Sequence, residues 1–191
     1  MSTGPTGPGW PLGRERSLGQ SGDSASDPGL RVGQGYDLHP YADERRLVLG
    51  GVEIEYARGL AGHSDGDALT HAVIDSLLGA AGLGDVGEWF PPTDATPRGA
   101  SSLDLLMQVV AHLVQDGWQV INVDTVLVAQ EPRLAPYRDA MRANLARALA
   151  IPIEHVNVKA TAPERLGSLG RGDGVAALAT ALIQRARPAD T

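Results

Sequence analysis

Arg31-Val32-Gly33-Gln34-Gly35-Tyr36-Asp37-Leu38-His39 is the stretch from which the fold is read, and folded character begins there, at Leu30. It reads as a strand whose glycines mark either the close approach of another backbone or a bulge. Pro40, which lacks an amide hydrogen, is expected to close it. Residues i and i+2 of a strand face the same way, so Asp37 and His39 offer a carboxylate and an imidazole to one side. A second polar run, His63-Ser64-Asp65-Gly66-Asp67, is followed four residues later by His71.

Outward from these stretches, two short strands are expected over 46–49 and 52–56, joined by a Gly50-Gly51 turn. A helix is expected over about 66–81, capped by Ser64 or Asp65, with Ala68, Leu69, Ala72, Val73 and Leu77 as its buried stripe. Residues 82–100 turn to Gly, Pro, Thr and Asp, and a polar loop of that length reads as a functional flap. A Ser-capped helix over 102–115 stopped by Gly117, a strand over 120–129, a helix from Pro136 to about 150 and a strand over 155–160 follow. Residues 173–187 read as a final amphipathic helix. The order β-β-β-α-α-β-α-β-α predicts an α+β fold, a small mixed β-sheet covered on one face by helices. The other face also needs cover, which an oligomer supplies most simply.

Composition narrows the function. With 191 residues the chain holds one domain with a real core, and with 4% aromatics that core is built from Val, Leu, Ile and Ala. Residues 1–29 are expected to form a disordered Gly/Pro/Ser-rich tail lacking the apolar block of a signal peptide. The folded domain is expected over 30–187, with a short C-terminal tail over 188–191. A net charge of −7 argues against nucleic-acid and anionic-membrane partners. No run approaches the ~18 apolar residues of a membrane span. The absence of cysteine removes disulfides, thiolate metal sites and thiol nucleophiles, and fits a cytoplasmic location. An anionic substrate on so acidic a body requires local cations: a metal, a few Lys or Arg, or a helix N-terminus.

Asp37, His39 and His71 make two ligands from a strand and one from a facing helix, with a fourth position left open, as in catalytic zinc sites. Asp67 and Asp75 lie one turn either side of His71, where each can accept a hydrogen bond from its outer ring nitrogen. A satisfied histidine on a solvated helix face shows the same pattern. His63 and Ser64 precede the helix start, a place that attracts phosphate, although plain N-capping explains them equally well. Near the C-terminus, Lys159, Arg165 and Arg171 stand in or beside glycine-rich turns suited to phosphate, and Glu164 suits a second, harder cation. The Arg171-Gly172-Asp173 tripeptide carries no adhesion reading in a cysteine-free acidic chain.

Taken in order, the 31–39 and 63–71 stretches, Leu83-Gly84-Asp85-Val86-Gly87, Phe90-Pro91-Pro92-Thr93-Asp94, Asn122-Val123-Asp124, Ala129-Gln130-Glu131-Pro132 and Val156-Asn157-Val158-Lys159-Ala160-Thr161 resemble the signature of the 2-C-methyl-D-erythritol 2,4-cyclodiphosphate synthase family. The resemblance covers about residues 31–185. It implies a homotrimer, sheets packed around the trimer axis and active sites between subunits. The implied reaction converts 4-diphosphocytidyl-2-C-methyl-D-erythritol 2-phosphate to the cyclic diphosphate with release of CMP, in the non-mevalonate isoprenoid precursor pathway.

By the same resemblance Asp37, His39 and His71 hold Zn2+, Glu164 reaches a second divalent cation (Mg2+ or Mn2+), and His63 stabilises the transition state with Thr161 and Ala162 nearby. The erythritol phosphate end is expected near Ser64, Asp85, Val86 and Gly87 and under Phe90, Pro91, Pro92, Thr93 and Asp94. The cytidine is expected on Ala129, Gln130, Glu131, Pro132, Arg133, Leu134 and Ala135, with Ala160, Thr161, Ala162, Pro163, Glu164, Ser168 and Arg171 around the diphosphate. Two positions depart from the family pattern: Ala162 stands where a second threonine is usual, and Ser168 where an aromatic residue is common. A zinc-dependent phosphohydrolase and a catalytically weak nucleotide- or isoprenoid-binding trimer are the competing readings.

Overall fold

The computed structural model of the protein describes residues 29–92 and 98–186. The expected tails, apart from Gly29, and the Thr93 and Asp94 end of the flap lie outside those residues. The chain runs β1 (Leu30–Ala42), β2 (Leu47–Leu49), β3 (Val52–Ile54), β4 (Gly59–Leu60), α1 (Ala68–Ala81), α2 (Val86–Trp89), α3 (Ser102–Gln115), β5 (Trp118–Val128), α4 (Arg138–Leu149), β6 (Val156–Thr161), α5 (Gly167–Gly170) and β7 (Gly174–Arg185). Five strands form one mixed sheet in the order β4-β1-β7-β5-β6, parallel only between β5 and β6. β2 and β3 make a separate hairpin.

One face of the sheet carries the helices. α1 lies across β1 and β7 with α3 beside it, so all but a few of its side chains are buried and its apolar positions run nearly around the helix. Leu69, Ile74, Leu77 and Leu78 of α1 meet Leu106 and Leu113 of α3, Met141 and Leu145 of α4, and Leu127 of β5 in one core. No helix among the described residues is long and apolar enough to cross a membrane.

The structure corrects several expectations. Residues 173–187 do not form a helix; Gly174–Arg185 is the central strand β7, paired with β1 on one edge and β5 on the other. Its alanines favour a helix intrinsically, but Ala177, Ala179 and Ala181 alternate into the face under α1, where only a small side chain leaves room for a helix backbone. Nor does Pro40 close β1, which continues to Ala42. A residue's N–H and C=O point to the same edge of a strand, and the Pro40 carbonyl accepts from Ala61 N at 2.9 Å. The missing amide therefore faces the two-residue β4 and leaves the β7 ladder intact. α1 starts at Ala68, two residues later than expected, capped by Asp67 rather than Ser64 or Asp65.

Candidate active site and metal centre

Gly33 and Gly35 explain how the two polar stretches meet. A Cβ at Gly33 would lie 1.9 Å from Ser76 O, and one at Gly35 2.0 Å from Ala72 O, so the backbone of α1 rests directly on β1. That contact brings His71 over Asp37 and His39. His39 Nε2 lies 2.7 Å from Asp37 Oδ2, His71 Nδ1 lies 3.0 Å from the same oxygen, and the two nitrogens are 3.2 Å apart. Donors spaced about 2.0–2.1 Å around a tetrahedral zinc ion stand roughly 3.3 Å from one another. The triangle fits such an ion, and it is the one group of this kind among the described residues.

The outer ring nitrogens fix the tautomers. His39 Nδ1 donates to the Ala61 carbonyl, which leaves Nε2 its lone pair. Burial opposes charge on His39, but the Asp37 carboxylate outweighs it and raises the imidazole's pKa above its ordinary value. Burial likewise opposes the Asp37 charge, yet the neighbouring His39 and His71 imidazoles hold that carboxyl well below the usual range. Both shifts report the same field, one that favours positive charge at the point where the three donors meet.

His71 Nε2 does not reach Asp67 or Asp75. It lies 3.0 Å from Ser64 Oγ and 2.9 Å from Ser102 Oγ, both buried. Asp67, fully buried, instead accepts from Gly50 N at 2.8 Å, Gly51 N at 2.7 Å, and Thr70 through N at 3.0 Å and Oγ1 at 2.7 Å. Asp75 accepts from Val86 N at 2.8 Å. The helix start is not an open anion seat either: Ser64 Oγ takes Gly66 N, Asp65 takes Asp67 N and Asp67 takes Thr70 N. Capping is the reading that holds there. Arg45 braces this loop through Gly62 O at 3.1 Å and Ser64 O at 2.7 Å.

The expected cytidine residues are brought together. A cavity of about 640 Å³ is lined by Ala129, Gln130, Glu131, Pro132, Arg133, Leu134, Ala135, Ala160, Thr161 and Ala162, and by Tyr56, which sequence reasoning missed. It opens at the carboxyl ends of β5 and β6, the parallel pair, where Ala129 N donates to Thr161 O at 3.2 Å. Tyr41 contacts the Tyr56 ring, donates its hydroxyl to the Glu131 carbonyl and lies 4.7 Å under the Arg58 guanidinium. Arg165 N donates to Gln130 Oε1 at 3.0 Å, tying on the 163–166 turn. In that turn Glu164 and Arg165 adopt left-handed φ values of 53° and 63°, uncommon for residues with side chains.

The remaining expected residues are more dispersed. Glu164 is exposed and is not part of the Asp37-His39-His71 cluster. Thr161 turns its hydroxyl toward Ala162 O at 3.4 Å. Asp85 caps α2 by accepting from Glu88 N at 2.9 Å, with Val86 and Gly87 beginning the helix and Phe90 at its end. Pro91 and Pro92 are exposed. Ser168 sits in α5, and Arg171 just beyond it pairs with Asp173 at 2.9 Å. His63 accepts Gly99 N at its carbonyl at 2.8 Å, so the loop bearing it is stitched to the segment returning from the flap.

The model of the YgbB family matches residues 30–184. The chain belongs to that family. Among curated relatives of this YgbB member, it is 54% identical over 156 residues to the 2-C-methyl-D-erythritol 2,4-cyclodiphosphate synthase of Thiobacillus denitrificans, covering 82% of this chain and 98% of that one. It is 55% identical over 157 residues to the synthase of the same name from Syntrophomonas wolfei, covering 82% of this chain and 100% of that one. The CDP complex of Plasmodium falciparum IspF superposes with a TM-score of 0.74 at 32% identity, covering 85% of this chain and 100% of that one. The bifunctional IspDF of Campylobacter jejuni gives a TM-score of 0.78 at 41% identity, covering 82% of this chain and 42% of that longer one.

Proposed function

We infer that the chain is a 2-C-methyl-D-erythritol 2,4-cyclodiphosphate synthase. It converts 4-diphosphocytidyl-2-C-methyl-D-erythritol 2-phosphate to the 2,4-cyclodiphosphate and CMP. The observation that carries this reading is the convergence of Asp37, His39 and His71 on one point, in a chain that matches synthases of this name over their whole length. The substrate supplies its own nucleophile: a phosphate with a second pKa near ~6 is largely ionised at neutral pH, so no catalytic base is required. What the protein must do is hold two anionic ends of one molecule together.

Asp37, His39 and His71 would hold Zn2+, and Glu164 a second divalent cation. When bound, these ions neutralise phosphate charge and polarise the attacked phosphorus as Lewis acids. His63 contributes a donor to the charge that develops there. Ser64, its hydroxyl committed to His71, acts through that ligand. The cavity formed by residues 129–135 and 160–162 takes the cytidine, in keeping with the CDP complex of the Plasmodium falciparum relative. The erythritol end lies near Asp85, Val86 and Gly87 and under the 90–94 flap. Thr161 and backbone N–H groups beside it take the place of the hydroxyl that Ala162 lacks.

The assembly is a homotrimer in the cytoplasm, with each active site between subunits. The support is the helix-free face of the sheet, where Val32, Tyr36 and Leu38 are 67%, 56% and 48% exposed beside Leu178, Leu182 and Val126. Large exposed apolar patches mark interaction surfaces, here one for another subunit. The test is to supply the cytidyl substrate to purified protein with and without a chelator. CMP release that stops on chelation and returns with Zn2+ is expected; release unaffected by complete metal removal would contradict the metal-centred reading.

A further inference from the structure

Resting on that metal-centred reading, we propose that Asp65 and Ser102 form a positioning pair that fixes the tautomer of His71 for metal binding. Ser102 Oγ has one proton and donates it to Asp65 Oδ1, while lying 2.9 Å from His71 Nε2. With that proton committed, Ser102 can only accept from the imidazole. Nε2 then carries the ring proton and Nδ1 turns its lone pair toward Asp37 and His39. Asp65 sets the serine itself as well as its hydroxyl, because its second oxygen accepts Ser102 N at 3.0 Å. Ser102 is fully buried, which protects the arrangement from competing water.

Ser64 is not equivalent. Its hydroxyl is 3.0 Å from the same Nε2 and accepts Gly66 N, but among the described residues no carboxylate takes its proton. It can therefore present either a proton or a lone pair to the ring, and only Ser102 is committed to one. The pair also spans two parts of the fold. Asp65 N donates to Ala100 O at 3.0 Å and Gly99 N to His63 O at 2.8 Å. The first turn of α3 is thus joined to the loop bearing His63 and, through Ser102, to a metal ligand.

The experiment uses the full chain loaded with Zn2+ or Co2+. It reads metal affinity by competition with a chromophoric chelator, the Co2+ absorption spectrum, and the melting temperature of the metal-free form. Ser102→Ala and Asp65→Asn are expected to bind either metal about 10–100-fold more weakly, with an altered Co2+ spectrum. Ser102→Thr, which keeps the hydroxyl, is expected to stay within about threefold of the unaltered chain. Affinity and spectrum unchanged in Ser102→Ala and Asp65→Asn, even with a lowered melting temperature, would reduce the pair to a structural role and overturn the proposal. Should Ser102→Ala fail to fold, Asp65→Asn set against Ser102→Thr decides by the same readouts. An unaltered chain that takes up neither metal would instead overturn the metal centre on which the proposal rests.

Discussion

At the scale of single residues, the proposed function rests on three donor atoms within 3.2 Å of one another, contributed by β1 and α1. Asp37 and His39 were legible in the sequence because strand periodicity alone places them side by side. His71 was legible because its helix was. The partners of its outer nitrogen were not legible, since Ser102 arrives from a separate helix whose paired serines, Ser101 and Ser102, signal only a cap. Replacing His71 by Ala removes one of the three proposed ligands. Metal content of the purified variant is expected to fall to a small fraction of one ion per chain, and turnover by at least about 1000-fold, as loss of several kcal/mol of charge stabilisation requires. Elemental analysis beside steady-state rates checks both. Asp67→Asn tests a different residue-scale claim. The amide offers its nitrogen where backbone N–H groups already point, leaving buried donors unmatched at Gly50, Gly51 or Thr70. A loss of about 2–4 kcal/mol, lowering the melting temperature by roughly 5–15 °C in calorimetry, is expected.

Among the elements, the contact of α1 with β1 sets the site's geometry. The glycines of the opening strand were readable as close approach, but not as approach by that helix, because no local pattern names the partner of a glycine. Gly35→Ala places a methyl 2.0 Å from the Ala72 carbonyl, so α1 must lift or the strand must bend. A cost of about 1–3 kcal/mol or more is expected, together with weaker metal binding, since His71 moves with its helix. Chemical denaturation and metal competition on the same variant check the two effects together. A variant that lost stability while keeping full metal affinity would separate the helix contact from the site. β7 shows the opposite limit of sequence reading. Its alanine-rich run carries a helical propensity, and only the two strands that flank it and the helix above it make it a strand. Propensity is local, whereas the requirement for small side chains under α1 belongs to the packing.

For the whole molecule, the helix-free sheet face and the cavity at the ends of β5 and β6 belong to one argument: the proposed site, shared between subunits, needs both. Tyr36 stands at the β1 end of the apolar row it forms with Leu178 and Val126. Tyr36→Asp is expected to convert a trimer to a monomer in sedimentation equilibrium, to abolish turnover, and to leave metal binding largely intact. A monomer with full activity would place the entire site within one chain. The ring closure itself is read most directly by 31P NMR of the products formed from the cytidyl substrate by the Zn2+-loaded protein. The account predicts two mutually coupled phosphorus resonances of a cyclic diphosphate, appearing in step with one equivalent of CMP. Linear phosphate products in their place would identify a phosphohydrolase and contradict it.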